Sequence, residues 1–321
     1  MIFASLIWSV LTAIVRSIYR LGLRRAKSLP VRVISVGNFE VGGTGKTPVV
    51  AKIAREALSR GLHPVILSRG YGGQWERSGG VIAPSQDTGA VDPQDSGDEA
   101  SLLHELVPGA WIGVGADRFS AFFLATERAK QAGQPVPDFA ILDDGLQHHQ
   151  LSRDLDVILM TSARPWQKIF REFPSLNRQL STLFIWSKGE RSPVGIRTED
   201  LTVRIRWAVP KPDASLGMVK LWLVTGVADG RHVRDLLSSN GWSVAAFSEF
   251  RDHASYSRDL LDQLLHEAES KGLILATTGK DWVKWKAQGI QREKVRVFEP
   301  EIEFDQLGSK LWSHRLWGDS L

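Results

Sequence analysis

Residues 31–48 read VRVISVGNFEVGGTGKTP, and this stretch decides the fold. Val31 to Val36 is a short β-branched run of the kind that forms a buried strand. A glycine-rich turn follows. A helical stretch then runs from Thr47 to about Ser59, where Gly61 can cap it. Glycines in such a turn let the backbone wrap closely around a phosphate, and successive N–H groups with the helix N-terminus face the anion. Lys46 would reach the β- and γ-phosphates of a nucleotide, and the Thr47 hydroxyl would ligate Mg2+. Gly42, Gly43, Thr44, Gly45, Lys46 and Thr47 are therefore the candidate nucleotide-binding residues. The competing reading is a glycine-rich turn that binds nothing, and Lys-Thr between a strand and a helix argues against it.

The loop departs from the common phosphate-loop spacing, which wants glycine where Glu40 stands. Its GGTGKT core is closer to the variant loop of the ParA and MinD ATPases. That group adds a lysine just before the two glycines, and Val41 occupies that place here.

Working outward, the pattern repeats. Strands are expected at Pro64 to Ser68, Trp111 to Val114, Phe139 to Leu142, Val157 to Met160 and Thr182 to Trp186. Helices are expected at 98–106 and from Phe119 to Ala132, with another helical stretch between the last two strands. Residues 70–97 read as loop with a hairpin near Gly80. Strands alternating with helices predict a mostly parallel sheet covered on both faces, a P-loop NTPase-like α/β fold. From about Arg204 the alternation restarts: strand at Leu221 to Thr225, helix at Gly230 to Asn240, strand at Ser243 to Phe247, helix at Arg258 to Ser270 and strand at Leu273 to Ala276. The expected domains are an N-terminal helix at 1–25, a P-loop domain at 26–203 and a smaller α/β domain at 204–321, joined through 190–215.

Composition narrows the function. The 321 residues carry 40 Lys and Arg against 36 Asp and Glu. Six of the basic groups (Arg16, Arg20, Arg24, Arg25, Lys27, Arg32) lie in the first 32 residues, and no acid precedes Glu40. The remainder is slightly acidic, which argues against a nucleic-acid binder. Absence of cysteine excludes disulfides, thiolate catalysis and Cys-ligated metal sites. Met1 to Val15 is too short an uncharged run to span a bilayer, and its charges follow it rather than precede it, unlike a secretory signal. On a helix, Ser5, Ser9, Thr12, Arg16, Arg20 and Arg24 form one polar stripe on an otherwise apolar surface. This predicts an interfacial helix with its basic residues toward anionic headgroups. The alternative is a helix packed on its own domain.

Five further motifs bear on the chemistry. Phe139–Leu142 runs into Asp143 and Asp144, where P-loop enzymes keep the acid that holds Mg2+. A turn acid after a strand is the plainer reading. Gly97-Asp98-Glu99 opens a helix; its carboxylates could orient Mg2+ or take a hydroxyl proton, or simply cap the helix. Asp252-His253 could be an acid-oriented histidine or a surface pair. His148 and His149 are adjacent and point apart on a regular element, and without a third ligand they do not read as a zinc site. Thr277-Thr278-Gly279-Lys280-Asp281 faintly resembles the base-reading loop of GTPases, with a helix cap as the alternative.

Taken in order, these motifs resemble the tetraacyldisaccharide 4'-kinase family, the lipid A 4'-kinases of Gram-negative bacteria. The matching stretches are SVGNFEVGGTGKTP (35–48), SRGYGG (68–73), GDEA (97–100), ADR (116–118), ILDDGLQHHQLSRDLDV (141–157), FRE (170–172), DHASYS (252–257) and TTGKDWVK (277–284). The resemblance implies ATP- and Mg2+-dependent phosphorylation of the 4'-hydroxyl of a tetraacyl glucosamine disaccharide 1-phosphate. It implies a peripheral or monotopic enzyme at the cytoplasmic face of the inner membrane, with its site in the cleft between two α/β domains. No nucleic acid or obligate protein partner is expected. Carried over residue by residue, Lys46 and Thr47 bind ATP and Mg2+, Asp143 and Asp144 are the metal-proximal acids, and Asp98 is the base with His253 as its partner. Tyr71, Arg118, His148 and Arg171 match positions of substrate or nucleotide contact. The chain departs from the family pattern at Ala100, where Pro is usual, at Gly279, where Glu is usual, and in the shortened PWQKIFRE stretch at 165–172. The rival readings are a membrane-associated switch of the MinD/ParA type, a GTPase or metallochaperone using His148 and His149, and an anchored protein with a dead nucleotide site.

Overall fold

The computed structural model describes residues 2–85, 91–163, 167–171, 182–189, 202–212, 219–252 and 254–320. Helix α1 (Ile2–Arg20) leads into β1 (Arg32–Asn38), α2 (Lys46–Ser59), β2 (Pro64–Ser68), the single turn α3 (Trp75–Ser78) and β3 (Gly80–Ile82). There follow the single turn α4 (Pro93–Ser96), α5 (Asp98–Leu106), β4 (Trp111–Val114), α6 (Arg118–Gln131), β5 (Phe139–Asp143), β6 (Leu155–Thr161), β7 (Thr182–Lys188) and β8 (Thr202–Ala208). A second series comprises β9 (Lys220–Thr225), α7 (Gly230–Ser239), β10 (Ser243–Glu249), α8 (Arg258–Ser270), β11 (Ile274–Thr278), α9 (Gly279–Ala287) and β12 (Arg296–Phe298). The chain closes with β13 (Glu301–Phe304) and α10 (Gln306–Trp317).

The first sheet has nine strands in the order β13-β8-β7-β6-β1-β5-β2-β4-β3, parallel except for its two edge strands. Strands β2, β4, β5 and β6 are buried along their whole length, because helices cover both faces there, whereas β7 is buried only at alternate positions. Helices α2, α5 and α10 supply Val49, Ile53, Leu103, Trp312 and Leu316 to the core on one face. Helix α6 supplies Phe122 and Ala125 to the other. The chain reverses direction at β1: β5 pairs on one side and β6 on the other, with Val36 opposite both Asp143 and Val157. That switch point opens a crevice at the strand C-termini, and the same register delivers the glycine-rich loop and the acid pair to it.

The second sheet, β10-β9-β11-β12, is wholly parallel. Its boundary differs from the expected one. Residue 204 lies inside β8, which pairs with β7 in the first sheet. After β12 the chain returns, β13 pairs with β8, and Trp312 and Trp317 of α10 both donate to Glu56 Oε2 of α2 at 2.8 Å. The smaller unit is therefore an insertion spanning β9 to β12. Nothing local distinguishes β8 from β9 as a strand; which sheet takes it is decided by pairing. The hairpin expected near Gly80 is instead an edge strand antiparallel to β4.

The N-terminal helix has the expected amphipathic pattern and the opposite facing. Ser5, Ser9, Thr12 and Arg16 are buried against the body, Arg16 to 6% exposure. Leu6, Ile7, Trp8, Val10, Leu11, Ile14 and Val15 are exposed. The polar stripe finds backbone partners inside: the Ser5 hydroxyl accepts from Phe170 N at 2.9 Å, and Thr12 Oγ1 donates to the Arg171 carbonyl at 3.1 Å. Arg16 thus does not face headgroups, although Arg24, Arg25 and Lys27 beyond the helix are exposed. Among the described residues no helix is long and apolar enough to cross a membrane.

Candidate active site

The glycine-rich loop is braced by the residue that breaks the common spacing. Glu40 is buried, and its carboxylate accepts from both the amide and the hydroxyl of Thr161, each at 2.8 Å. The loop is thereby tied to the end of β6. Residues 169–171 run antiparallel beside it: Val41 N donates to Ile169 O at 2.7 Å and Arg171 N to Phe39 O at 2.6 Å. Gly45 has φ +87, and the Trp207 indole of β8 lies where its Cβ would be. Only glycine meets both demands.

Lys46 reaches Asn38 Oδ1 at 3.3 Å and Asp144 Oδ1 at 3.7 Å. Arg171 clamps the Asp144 carboxylate with two bonds of 3.0 and 3.1 Å and also donates to Asn38 Oδ1. Burial opposes ionisation of Asp144, but the charges of Lys46 and Arg171 outweigh it and hold its carboxyl below the ordinary range. Asp144 has φ +50, a conformation uncommon for a side-chain-bearing residue, and the Arg171 clamp holds it there. Asp143 behaves oppositely. Burial, followed by the nearby Asp144 and Glu99 charges, pushes it up to about 6, against the pull of Lys46 and the Ser68 hydroxyl. Arg118 is buried beside this pair, and burial lowers its pKa while Asp143 and Asp144 support its charge. Arg118 Nε and Thr44 Oγ1 are buried with no partner among the described residues. His148 is held near 4 by burial and by the Arg118 charge, so it is neutral at physiological pH.

Asp98 starts α5, and its position is set by a backbone crossing. A Cβ on Gly97 (φ +83) would lie 2.9 Å from Gly70 C, and one on Gly73 would lie 2.5 Å from both Asp95 O and Gly97 N. The SRGYGG and GDE stretches therefore meet backbone to backbone. Tyr71, on the crossing loop, is exposed to 66%. Across from α5, helix α9 presents lysines. Lys284 pairs with Asp98 at 2.9 Å, and Lys280 with Glu99 at 3.4 Å and Asp252 at 3.2 Å. His253 lies outside the described residues.

The structure thus gathers Lys46, Asp143, Asp144, Arg118 and Arg171 at the strand C-termini, with His148 alongside and Asp98 next to Glu99, whose charge reaches Asp143. Asn38, Trp207 and Lys284 were not singled out in the sequence, Glu40 was noted only as a departure in the loop, and Lys280 only within the 277–281 motif. For the lysines a signal existed, since positions 280 and 284 fall on one helix face. The GTPase-like reading of 277–281 fails: Asp281 is buried and accepts from Thr225 Oγ1, Gly226 N, Thr278 Oγ1 and Tyr256 Oη at 2.9–3.0 Å. It organises loops and reads no base. At Gly279, the Glu299 carboxylate fills the space a side chain would need.

Comparisons with known proteins show the family. The family model described as tetraacyldisaccharide-1-P 4'-kinase matches residues 1–315. The tetraacyldisaccharide 4'-kinase of Pelobacter propionicus is 34% identical over 309 residues, covering 90% of this chain and 83% of the relative. That of Geobacter sulfurreducens is 34% identical over 288 residues, covering 84% and 79%. The crystal structure of an "apo" form of LpxK from Aquifex aeolicus in complex with ATP superposes with a TM-score of 0.73 at 26% identity, covering 98% of this chain and 97% of that one. The chain belongs to the tetraacyldisaccharide-1-P 4'-kinase family.

Proposed function

We propose that this protein transfers the γ-phosphoryl group of ATP to the 4'-hydroxyl of a tetraacyl disaccharide 1-phosphate. The observation that carries the reading is the convergence of Lys46, the Asp143–Asp144 pair and Arg171 at a glycine-rich loop, with a separate carboxylate, Asp98, at the start of a neighbouring helix. Phosphoryl transfer asks a protein mainly for positioning and charge neutralisation. The loop amides and Lys46 neutralise the transferring phosphate. The 42–47 loop holds the β- and γ-phosphates, and Lys46 exchanges its Asp144 contact for them. The buried, unpartnered Nε of Arg118 beside the acid pair supports a phosphate-binding role for it.

Two carboxylates crowded at the end of β5, one of them pushed up to about 6 by burial and like charge, suit a divalent cation. Thr47, Asp143 and Asp144 would hold Mg2+, which when bound offsets charge on the phosphates. In the transfer, the 4'-oxygen bonds to the γ-phosphorus, the bond to the β–γ bridging oxygen breaks, ADP leaves, and the hydroxyl proton passes to the Asp98 carboxylate. His253 is the proposed partner of Asp98.

The outward apolar face of α1, flanked by exposed Arg24, Arg25 and Lys27, supports seating at an anionic membrane surface, where a lipid acceptor resides. The test is incubation with labelled ATP, Mg2+ and tetraacyl disaccharide 1-phosphate. Label in the lipid phase is expected; label released only as free phosphate refutes the reading in favour of a MinD-type switch.

A further inference from the structure

We propose that Lys284 is a positioning residue for phosphoryl transfer: it fixes the Asp98 carboxylate and couples it to the loop between β10 and α8. This inference rests on Asp98 being the base. Three observations carry it. Lys284 Nζ lies 2.9 Å from Asp98 Oδ2, with the two side chains only 10% and 16% exposed. The same ammonium donates to the Ala254 carbonyl at 3.0 Å. Helix α9 is itself anchored, because Asp281 ties its first turn to Thr225, Gly226 and Tyr256.

A pair so far removed from water is directional, since neither partner can turn to solvent in compensation. With Oδ2 engaged, rotation of the Asp98 carboxylate about its χ2 is fixed, and so is the orientation it offers an acceptor hydroxyl. Lys284 comes from the inserted unit and Asp98 from α5, which packs on the first sheet. The contact therefore makes alignment of the base conditional on docking of the insertion. Two further ion pairs join α9 to α5: Lys280 with Glu99 at 3.4 Å, on the face that carries Lys284, and Lys286 with Glu105 at 2.7 Å, from a different side of the helix. The second is built from residues outside the reacting groups and so reports docking alone.

The full-length protein is assayed for steady-state kinetics as Lys284→Met, Lys284→Arg, Lys286→Met, Asp98→Asn and the Asp98→Asn/Lys284→Met double variant. Lys284→Met is expected to lower kcat by ~10- to 100-fold with KM for ATP within about twofold, as misplacement of a reacting group does. Lys284→Arg, which keeps the charge and the donor, recovers most of that loss. Lys286→Met stays within about twofold of the parent, and the double variant is no slower than Asp98→Asn, as expected of residues acting as a unit. Equal losses in Lys286→Met and Lys284→Met, or additive losses in the double variant, overturn the proposal. Full activity of Asp98→Asn would instead overturn the assignment of the base. Loss with Asp98→Asn but parental kcat with Lys284→Met overturns only the positioning role.

Discussion

Three glycines at the crossing of residues 70–73 with 95–97 allow backbone strain and crowding to be measured separately. Gly72 has φ +79 and open space around it, so Gly72→Ala meets only the left-handed penalty, about 1–2 kcal/mol. Gly73 has no positive φ, yet a Cβ there would lie 2.5 Å from Asp95 O and Gly97 N. Gly73→Ala meets crowding alone, about 1–3 kcal/mol, against backbone atoms that no rotamer change can move. Gly97 combines φ +83 and ψ 156 with Gly70 C at 2.9 Å. Its sparsely populated conformation costs a side chain about 1–3 kcal/mol, and crowding adds about as much. Gly97→Ala should therefore lose about 2–6 kcal/mol, and at about 2–4 °C per kcal/mol for a domain of this size its Tm falls by on the order of 10 °C.

Activity discriminates further. Gly97 immediately precedes Asp98, so displacement on the order of 1 Å should lower kcat by about 100-fold. The 42–47 loop follows β1, whereas Gly97 joins α4 to α5, so ATP affinity measured by calorimetry should stay near parental in the folded fraction. Gly72→Ala should leave kcat nearly intact. Parental Tm and turnover in Gly97→Ala would refute the crossing as the device that places Asp98, and equal losses in Gly72→Ala and Gly97→Ala would reduce the effect to φ alone.

Thr12→Val removes the bond from α1 to the Arg171 carbonyl, worth about 1 kcal/mol; ATP affinity should fall about fivefold, and an unchanged Kd would show that α1 does not brace the phosphate site. Lys46→Ala should abolish most turnover, and full activity would refute the phosphate-loop assignment. Leu11→Glu on the outward face of α1 should weaken sedimentation with anionic vesicles while leaving ATP binding intact; unchanged sedimentation would argue against that face as the membrane contact. Glu299 is pushed from 4.5 up to about 8, first by burial and then by Glu105. The folded state therefore holds its proton where the unfolded chain has lost it, so its contribution is fully present below about 4.5 and is lost as pH rises to about 8. Glu299→Gln should raise Tm relative to the parent at pH 9 and change it little at pH 4; a pH-independent difference would contradict burial of this carboxyl.

The phosphate-loop unit was legible because its signals are local. A β-branched run, a glycine turn and a helical period fix β1, the loop and α2 within thirty residues, and short apolar runs ending in Asp mark β5. Most elements of the second series were legible for the same reason. Arg171 was reached only through resemblance, and Asp98 was legible only as one of two carboxylates that could equally cap a helix, since nothing local shows that residue 171 returns to residue 144 or that 97 crosses 70.

The sequence by itself determined the alternation of elements, the phosphate loop, the acid pair and the amphipathic pattern of α1, because these follow from side-chain periodicity and from glycine's freedom at φ above zero. Only the tertiary structure decided which sheet takes β8 and β13, because strand pairing is a long-range choice with no local mark. It also decided that the polar stripe of α1 turns inward. Buried hydroxyls need partners, and the backbone of residues 170–171 supplies them to Ser5 and Thr12. It decided too that Glu40 braces the loop and that Lys284 meets Asp98, since a charge is buried only where the fold brings a counterpart within reach.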